Sequence, residues 1–270
     1  MSNVVDGKAI AEEIYSELAP KFAAIGRTIK LGIVVVGANP IIESFVRVKM
    51  QAAEKLGVEM MRMNVSDKSD AGKILQAVDR ALTNSDAVIV QLPLPSGIDT
   101  NEILGAVPNE KDVDALNPKI AEKDRLVHAP VALAAVEILK RSNIEIVGSR
   151  TVVVGAGRLV GAPSAWLLQN LGANVSMFTL EAGSIDDLKE ADIVVLGAGN
   201  PGFVKPEHLK KGVALIDAGT SDLNKKILGD ADPACAEVAS VFTPVPGGVG
   251  PVAVAMIFRN LLELISSFRR

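Results

Sequence analysis

Five short runs of apolar, mostly β-branched residues, each closed by glycine or proline, punctuate the chain: LGIVVVG (31–37), DAVIVQLPLP (86–95), RTVVVGAG (150–157), ADIVVLGAG (191–199) and GVALIDAG (212–219). They lack polar alternation, the pattern of strands buried on both faces of a parallel sheet. A further strand is expected at ANVSMF (173–178), and helical patterns occupy 7–26, 43–57 and 162–172. Strand and helix therefore alternate as in doubly wound α/β folds. The stretch 117–130, NPKIAEKDRLVHAP, is polar, holds two prolines and precedes a helical pattern at 131–143, so it reads as a hinge. The expected fold is α/β in two lobes. Residues 1–120 form an N-terminal α/β lobe, residues 121–251 form a Rossmann-type doubly wound parallel sheet, and an amphipathic helix over 252–270 packs back on the first lobe.

A length of 270 residues allows one large domain or two compact ones. A net charge of -4 and a pI near 5.4 give no diffuse basic surface, so nucleic acid is not an expected partner. The chain lacks a run of about 18 consecutive apolar residues, so no membrane partner is expected. Its start, MSNVVDGKAIAEEI, lacks a basic segment followed by an apolar core, and the single cysteine, Cys235, cannot form an internal disulfide. The expected location is the cytoplasm. His128 and His208 have no ligand cluster around them, so no metal is expected.

The segment from Thr151 to Gly161 runs strand, glycine turn, helix start. Glycines there permit a tight turn and close approach of backbone to a pyrophosphate, and a helix start offers free N–H donors. Gly155, Ala156, Gly157 and Arg158 are the candidate cofactor contacts. The GxGxxxG spacing is a weak signal alone, and a glycine chosen for strand-helix packing is the alternative. Glu181, after the next strand, stands where a carboxylate reaches the adenosine ribose of NAD and repels the 2′-phosphate of NADP; a solvated loop charge is its bland reading. The strand ends at Gly197–Pro201 and Asp217–Thr220 lie where nicotinamide would run along the carboxyl edge of the sheet, which makes Thr220 a further candidate.

In the first lobe, Lys49 follows Phe45 by one helical turn, so both project from one face. A solvated lysine is the ordinary reading, but Gln91 at the end of a buried strand, ahead of two prolines, is a polar amide aimed at the carboxyl edge. Asp112 and Asp114 are two apart and face the same way if their segment is extended; a loop cap is the alternative.

With these residues in place, the chain resembles the bifunctional methylenetetrahydrofolate dehydrogenase/cyclohydrolase family. Gly37 with Phe45, Val46, Arg47 and Lys49 looks like its VG…YVxxK segment, VQLPLP its glutamine motif, PNEKDVDAL its P.KDVDG motif, VVVGAGRLVGAP its VVVGRSxxVGxP, and TPVPGGVGP (243–251) its terminal signature. The resemblance implies oxidation of 5,10-methylenetetrahydrofolate with NAD or NADP, then hydrolysis of the methenyl cation to 10-formyltetrahydrofolate. It implies Lys49 as the base, working with Gln91, and Asp112, with Asp114, as acceptors for the pterin. It also implies Pro246, Gly247 and Gly248 as a close loop beside pterin and nicotinamide, and a homodimer.

Several positions depart from the family pattern. Its tyrosine is Phe45, its Pro-Cys-Thr-Pro-x-Gly is Val127–Ala132 with only the second proline kept, and its aspartate motif ends in Ala115 rather than glycine. The arginine and serine after the first glycine of NADP-using relatives are Ala156 and Gly157, which with Glu181 favours NAD. Two alternatives follow: a dehydrogenase with weak or lost hydrolase activity, and a non-catalytic folate- or nucleotide-binding relative.

Overall fold

The computed structural model describes residues 3–179, 181–223 and 226–267. Along the chain, β1 (Asn3–Val4) leads to α1 (Gly7–Ala23), then β2 (Ile29–Val36), α2 (Pro40–Lys55), β3 (Val58–Val65), α3 (Ala71–Asn84), β4 (Ala87–Val90) and α4 (Thr100–Leu104). After α5 (Pro130–Arg141) come β5 (Arg150–Val154), α6 (Gly161–Asn170), β6 (Asn174–Phe178), β7 (Ile193–Leu196) and β8 (Ala214–Asp217). A hairpin of β9 (Ser221–Leu223) and β10 (Lys226–Leu228), then β11 (Val241–Phe242) and α7 (Val249–Ser267), complete the order.

These elements form two compact units, Met1–Glu12 with Ala129–Met256, and Glu13–His128 with Ile257–Arg270. The division differs from the one expected at 120/121 and 252. The first residues group with the later unit because β1 pairs in parallel with β11. Residues 121–128 group with the earlier unit because the Arg125 guanidinium donates to the main-chain carbonyls of Ala115 and Asn117, while Asn109 donates to Asp124 O at 2.8 Å.

The unit of 13–128 is built on a parallel sheet in the order β3-β2-β4. On α3, Ile74, Ala77, Val78 and Ala81 recur at helical spacing and are buried against Val34, Val36, Val88 and Val90. Burying side chains the size of Ile74 and Val78 stabilises the fold by roughly 1.5–3 kcal/mol each. Asp70 caps the start of α3 by accepting from Lys73 N at 2.9 Å. Its end is held by Lys111, whose ammonium donates to Leu82 O at 2.6 Å and Ser85 O at 2.8 Å, a cation on the negative end of the helix dipole.

The other unit carries six parallel strands in the order β1-β11-β8-β7-β5-β6. β7 and β8 are buried along their whole length, apolar throughout in β7 and up to the terminal Asp217 in β8, and β5 is buried from Thr151 to Val154. The chain reverses direction across the sheet at β5, which has β6 on one side and β7 on the other. One layer packed on this sheet, around Leu188, Leu209 and Cys235, comes from short 3₁₀ segments rather than the full α-helices of a doubly wound expectation.

Among the described residues α7 alone is long and apolar enough, by length and composition, to cross a membrane; 50% of its apolar window is buried inside the protein. Phe258, Leu261 and Leu264 are buried, and Asn260 donates to Val113 O and His128 O at 2.9 and 2.8 Å, the arrangement of a core helix. Residues 268–270 of the expected helix lie outside the described residues.

Candidate active site

Lys49 sits on α2 and Gln91 directly follows β4, and the structure brings them together: Lys49 Nζ donates to Gln91 Oε1 at 2.8 Å. Gln91 is buried and its amide nitrogen donates to Leu92 O at 2.7 Å, so the carboxamide is fixed in the orientation that offers its oxygen to the lysine. Burial lowers the Lys49 pKa from the ordinary lysine value, and the nearby Asp114 carboxylate opposes this. Burial likewise pushes Asp114 up to about 6, against the attraction of Lys49 and with the repulsion of Asp112. Phe45, one turn before Lys49, is 38% exposed and offers an open aromatic face on the same helix.

The segment that carries Asp112 and Asp114 is not extended. The chain turns there, closed by Ala115 N donating to Asp112 O at 3.2 Å, and Ala115 has a φ of 55°. Asp112 is buried and committed to its own loop: Asn117 N donates to it at 2.7 Å, further main-chain amides come from Leu116 and Ala115, and the Arg125 guanidinium lies 3.9 Å away. Even so, burial dominates and pushes Asp112 up to about 6. Arg125 and Asn117, both absent from the residues picked out by sequence, therefore shape the loop that presents Asp114 to Lys49. Their only sequence signal was polarity, which read as a hinge.

The left-handed backbone at Ala115 also explains why glycine is the family residue at this position. Ala115→Gly is expected to stabilise the protein by about 1 kcal/mol, about 2–4 °C in Tm, by removing the clash of Cβ with the backbone. A thermal melt that leaves Tm unchanged or lowers it would show that the turn is not strained. His128 is half-buried in the altered Val127–Ala132 segment, and the described role of that position is its main-chain oxygen, which Asn260 binds.

In the other unit, the turn after β5 is built for close backbone approach. Gly155 has a φ of 94°, and a Cβ there would lie 2.6 Å from Gly197 O. A Cβ on Gly161, the first residue of α6, would fall on the Gly155 carbonyl, 2.7 Å from its carbon. By contrast, a Cβ on Gly157 would meet nothing nearer than Gly197 O at 4.0 Å, so the protein leaves that face of the turn open. With exposed Ala156, Gly157 and Arg158 leading to the start of α6, at the point where strand order reverses, the turn fits a dinucleotide pyrophosphate.

Glu181 is exposed in a tight turn just beyond β6, where its own amide and that of Ala182 both donate to Thr179 Oγ1 at 3.2 Å. Thr220 is exposed after β8. Pro246, exposed and joined to Val245 by a cis bond, begins the terminal loop, whose Gly247 has a φ of 108°. Gly7 N donates to Gly247 O at 3.0 Å, and Gly248 packs so closely that a Cβ would lie 2.7 Å from Thr243 Cβ.

Fold and site together define a nucleotide-using α/β enzyme, with a Rossmann-type sheet in one unit and a lysine-amide-carboxylate cluster in the other. The chain belongs to the tetrahydrofolate dehydrogenase/cyclohydrolase family: the model of the family's catalytic domain matches residues 5–114, and that of its NAD(P)-binding domain matches residues 129–269. It is 36% identical over 276 residues to the bifunctional protein FolD of Halothermothrix orenii, covering 97% of this chain and 98% of that one. Among solved structures, the Trypanosoma brucei methylenetetrahydrofolate dehydrogenase-cyclohydrolase, complexed with NADP and an inhibitor, superposes with a TM-score of 0.92 at 34% identity, covering 100% of this chain and 99% of that one. The bifunctional FolD enzyme of Campylobacter jejuni gives 0.91 at 29% identity, over 98% and 99% of the two chains.

Proposed function

We propose that this enzyme oxidises 5,10-methylenetetrahydrofolate to the methenyl form, with NAD preferred to NADP, and hydrolyses the methenyl product to 10-formyltetrahydrofolate. The observation that carries the reading is the 2.8 Å bond from Lys49 to Gln91, with Asp114 as the lysine's electrostatic neighbour.

The bound dinucleotide supplies the hydride acceptor, and the first step asks the protein for orientation more than for acid or base. Gly155, Ala156, Gly157 and Arg158 would hold the pyrophosphate at the start of α6, Glu181 would meet the adenosine ribose, and Thr220 with Pro246, Gly247 and Gly248 would border the nicotinamide. Hydrolysis needs a base, because water must lose a proton as it adds to the amidinium-like carbon. Lys49 takes that proton as a neutral amine, a form that burial favours and that the cationic substrate favours further. Gln91 aligns the amine without adding charge, and Phe45 packs on the substrate. Asp114 accepts from the pterin's N–H groups; Asp112, whose carboxylate is already taken by its loop, braces that geometry from behind.

Support for NAD is the exposed carboxylate of Glu181 beyond β6, together with Ala156 and Gly157 in place of an arginine-serine pair. The reading places the enzyme in the cytoplasm as a homodimer without nucleic-acid or membrane partners, in keeping with its net charge of -4 and its unpaired Cys235.

The test is turnover of 5,10-methylenetetrahydrofolate with NAD and NADP in parallel, following reduced cofactor and methenyl intermediate separately. Reduced cofactor should form faster with NAD, and added methenyl substrate should disappear faster than in buffer. Glu181→Ser should narrow the gap between cofactors. Faster turnover with NADP would overturn the cofactor preference, and absence of both reactions in folded protein would overturn the whole reading.

A further inference from the structure

Two buried carboxylates in the Rossmann-type unit take no part in the chemistry above, yet they hold its carboxyl edge. Asp217, the last residue of β8, accepts from Gly219 N at 2.9 Å, Asp230 N at 3.2 Å and Ala231 N at 2.8 Å. Asp230 accepts from Ala198 N at 2.7 Å, Gly199 N at 3.1 Å and Asn200 N at 2.7 Å, the loop that follows β7. Each aspartate occupies space that a glycine beside the other vacates. A Cβ on Gly219 would lie 2.5 Å from both Asp230 carboxylate oxygens, and one on Gly229 would overlap the Asp217 carboxylate, 2.9 Å from its Cγ. Thr243 completes the cluster, its hydroxyl accepting from Asp217 N at 2.6 Å. Asp217 and Asp230 are 2% and 0% exposed, so the interlock is internal.

Three successive amides converging on one carboxylate, two on its Oδ2 and one on its Oδ1, form a nest of the kind that binds anions. Here the protein fills it with its own carboxylate, which fixes the backbone of 198–200 instead of leaving it to a ligand. A dinucleotide lying across the sheet from Glu181 beyond β6, over the glycine turn after β5, would bring its nicotinamide end toward the ends of β7 and β8, where this loop stands. We propose that Asp230 is a positioning residue for hydride transfer: its carboxylate, seated by Asp217 and by the missing side chains of Gly219 and Gly229, fixes the loop of Ala198, Gly199 and Asn200 against which the nicotinamide end is held. The proposal rests on the functional reading above and deepens its account of the cofactor site.

The test compares wild type, Asp230→Asn and Gly219→Ala in both half-reactions, with dinucleotide affinity measured by titration and folding by thermal melt. Asparagine keeps the shape of Asp230 but turns an amino group toward amides that need an acceptor. Oxidation should fall about 10–100-fold, with a raised KM for dinucleotide, because charge-assisted bonds to buried amides are lost. Hydrolysis of added methenyl substrate, carried by Lys49 and Gln91 in the other unit, should stay within about two-fold. Gly219→Ala keeps both carboxylates but drives a methyl group into Asp230, so it should give the same split, and it decides the matter if Asp230→Asn does not fold. Equal loss of both reactions, or wild-type oxidation and dinucleotide affinity in a folded variant, overturns the proposal. A wild type inactive in both reactions overturns the functional reading, and the proposal with it, whereas an active wild type with unsplit variants overturns the proposal alone.

Discussion

Lys49→Met is expected to slow hydrolysis of 5,10-methenyltetrahydrofolate by about 10²–10⁴-fold, the usual range for loss of a positioned base, and to leave hydride transfer within about ten-fold. Methionine matches the length of the lysine stem but can neither take a proton from water nor donate to Gln91 Oε1, the bond that now measures 2.8 Å. Oxidation of the methylene substrate draws its push from the substrate's own nitrogens, so the lysine's loss reaches that step only through altered packing. The pH dependence of wild type carries the same signature. Because burial lowers the Lys49 pKa, the neutral amine appears at lower pH than for an exposed lysine, and hydrolysis should rise with pH through a midpoint below the ordinary value of 10.5. The measurement is steady-state rate in both half-reactions for variant and wild type. Equal loss in the two would remove Lys49 from its role.

Gly161→Ala is expected to have the other large effect, on the opposite half-reaction. Its methyl group would fall on the Gly155 carbonyl and come 3.2 Å from Ala156 Cα, and these are backbone atoms that cannot swing aside. The turn and the start of α6 must separate, at a cost of about 1–3 kcal/mol or more in stability, and the separation spoils the pyrophosphate seat. Dinucleotide affinity should fall by about 10²-fold or more. Titration with NAD and a thermal melt check both halves of the expectation. Wild-type affinity in this variant would mean that the turn does not hold the cofactor. Gly157→Ala is the natural contrast, since a Cβ there meets no protein atom closer than 4.0 Å.

The parts of the fold legible in the sequence are those that depend on local burial. β2, β4, β5, β7 and β8 declare themselves because strands covered on both faces are built from unalternated apolar runs, with polar residues only near their ends, and α2, α5, α6 and α7 because their apolar positions recur at helical spacing. β3 escaped because it is an edge strand that mixes Glu59, Arg62 and Asn64 with methionines. β1 and β11 are two residues each, too short for any period, and exist only because they pair with each other and with β8. In the site, the strand-end position of Gln91 marked it as a cleft residue, and its pairing with Lys49 came from the family resemblance. The turn at Asp112–Ala115 could not be read from sequence, because its left-handed residue is an alanine and carries no glycine flag. Asp230 was invisible for a different reason: what it holds lies 30–32 residues earlier in the chain, and only the glycine beside each aspartate hinted at a close approach.

Cys235 draws a practical consequence from the packing of the Rossmann-type unit. It is the chain's single thiol, 0% exposed, with its Sγ against Val204 O at 3.4 Å and its pKa pushed up to about 12 by burial, so it is a weaker acid than a free thiol. Alkylating reagents attack thiolates and need access, so in the closed state this sulfur is silent. Labelling therefore proceeds only during moments of opening, and its rate is a clock for the breathing of the layer that also holds Leu188, Leu209 and Phe242. A ligand that steadies that layer slows the clock, which makes the protein its own reporter of occupancy without any added label.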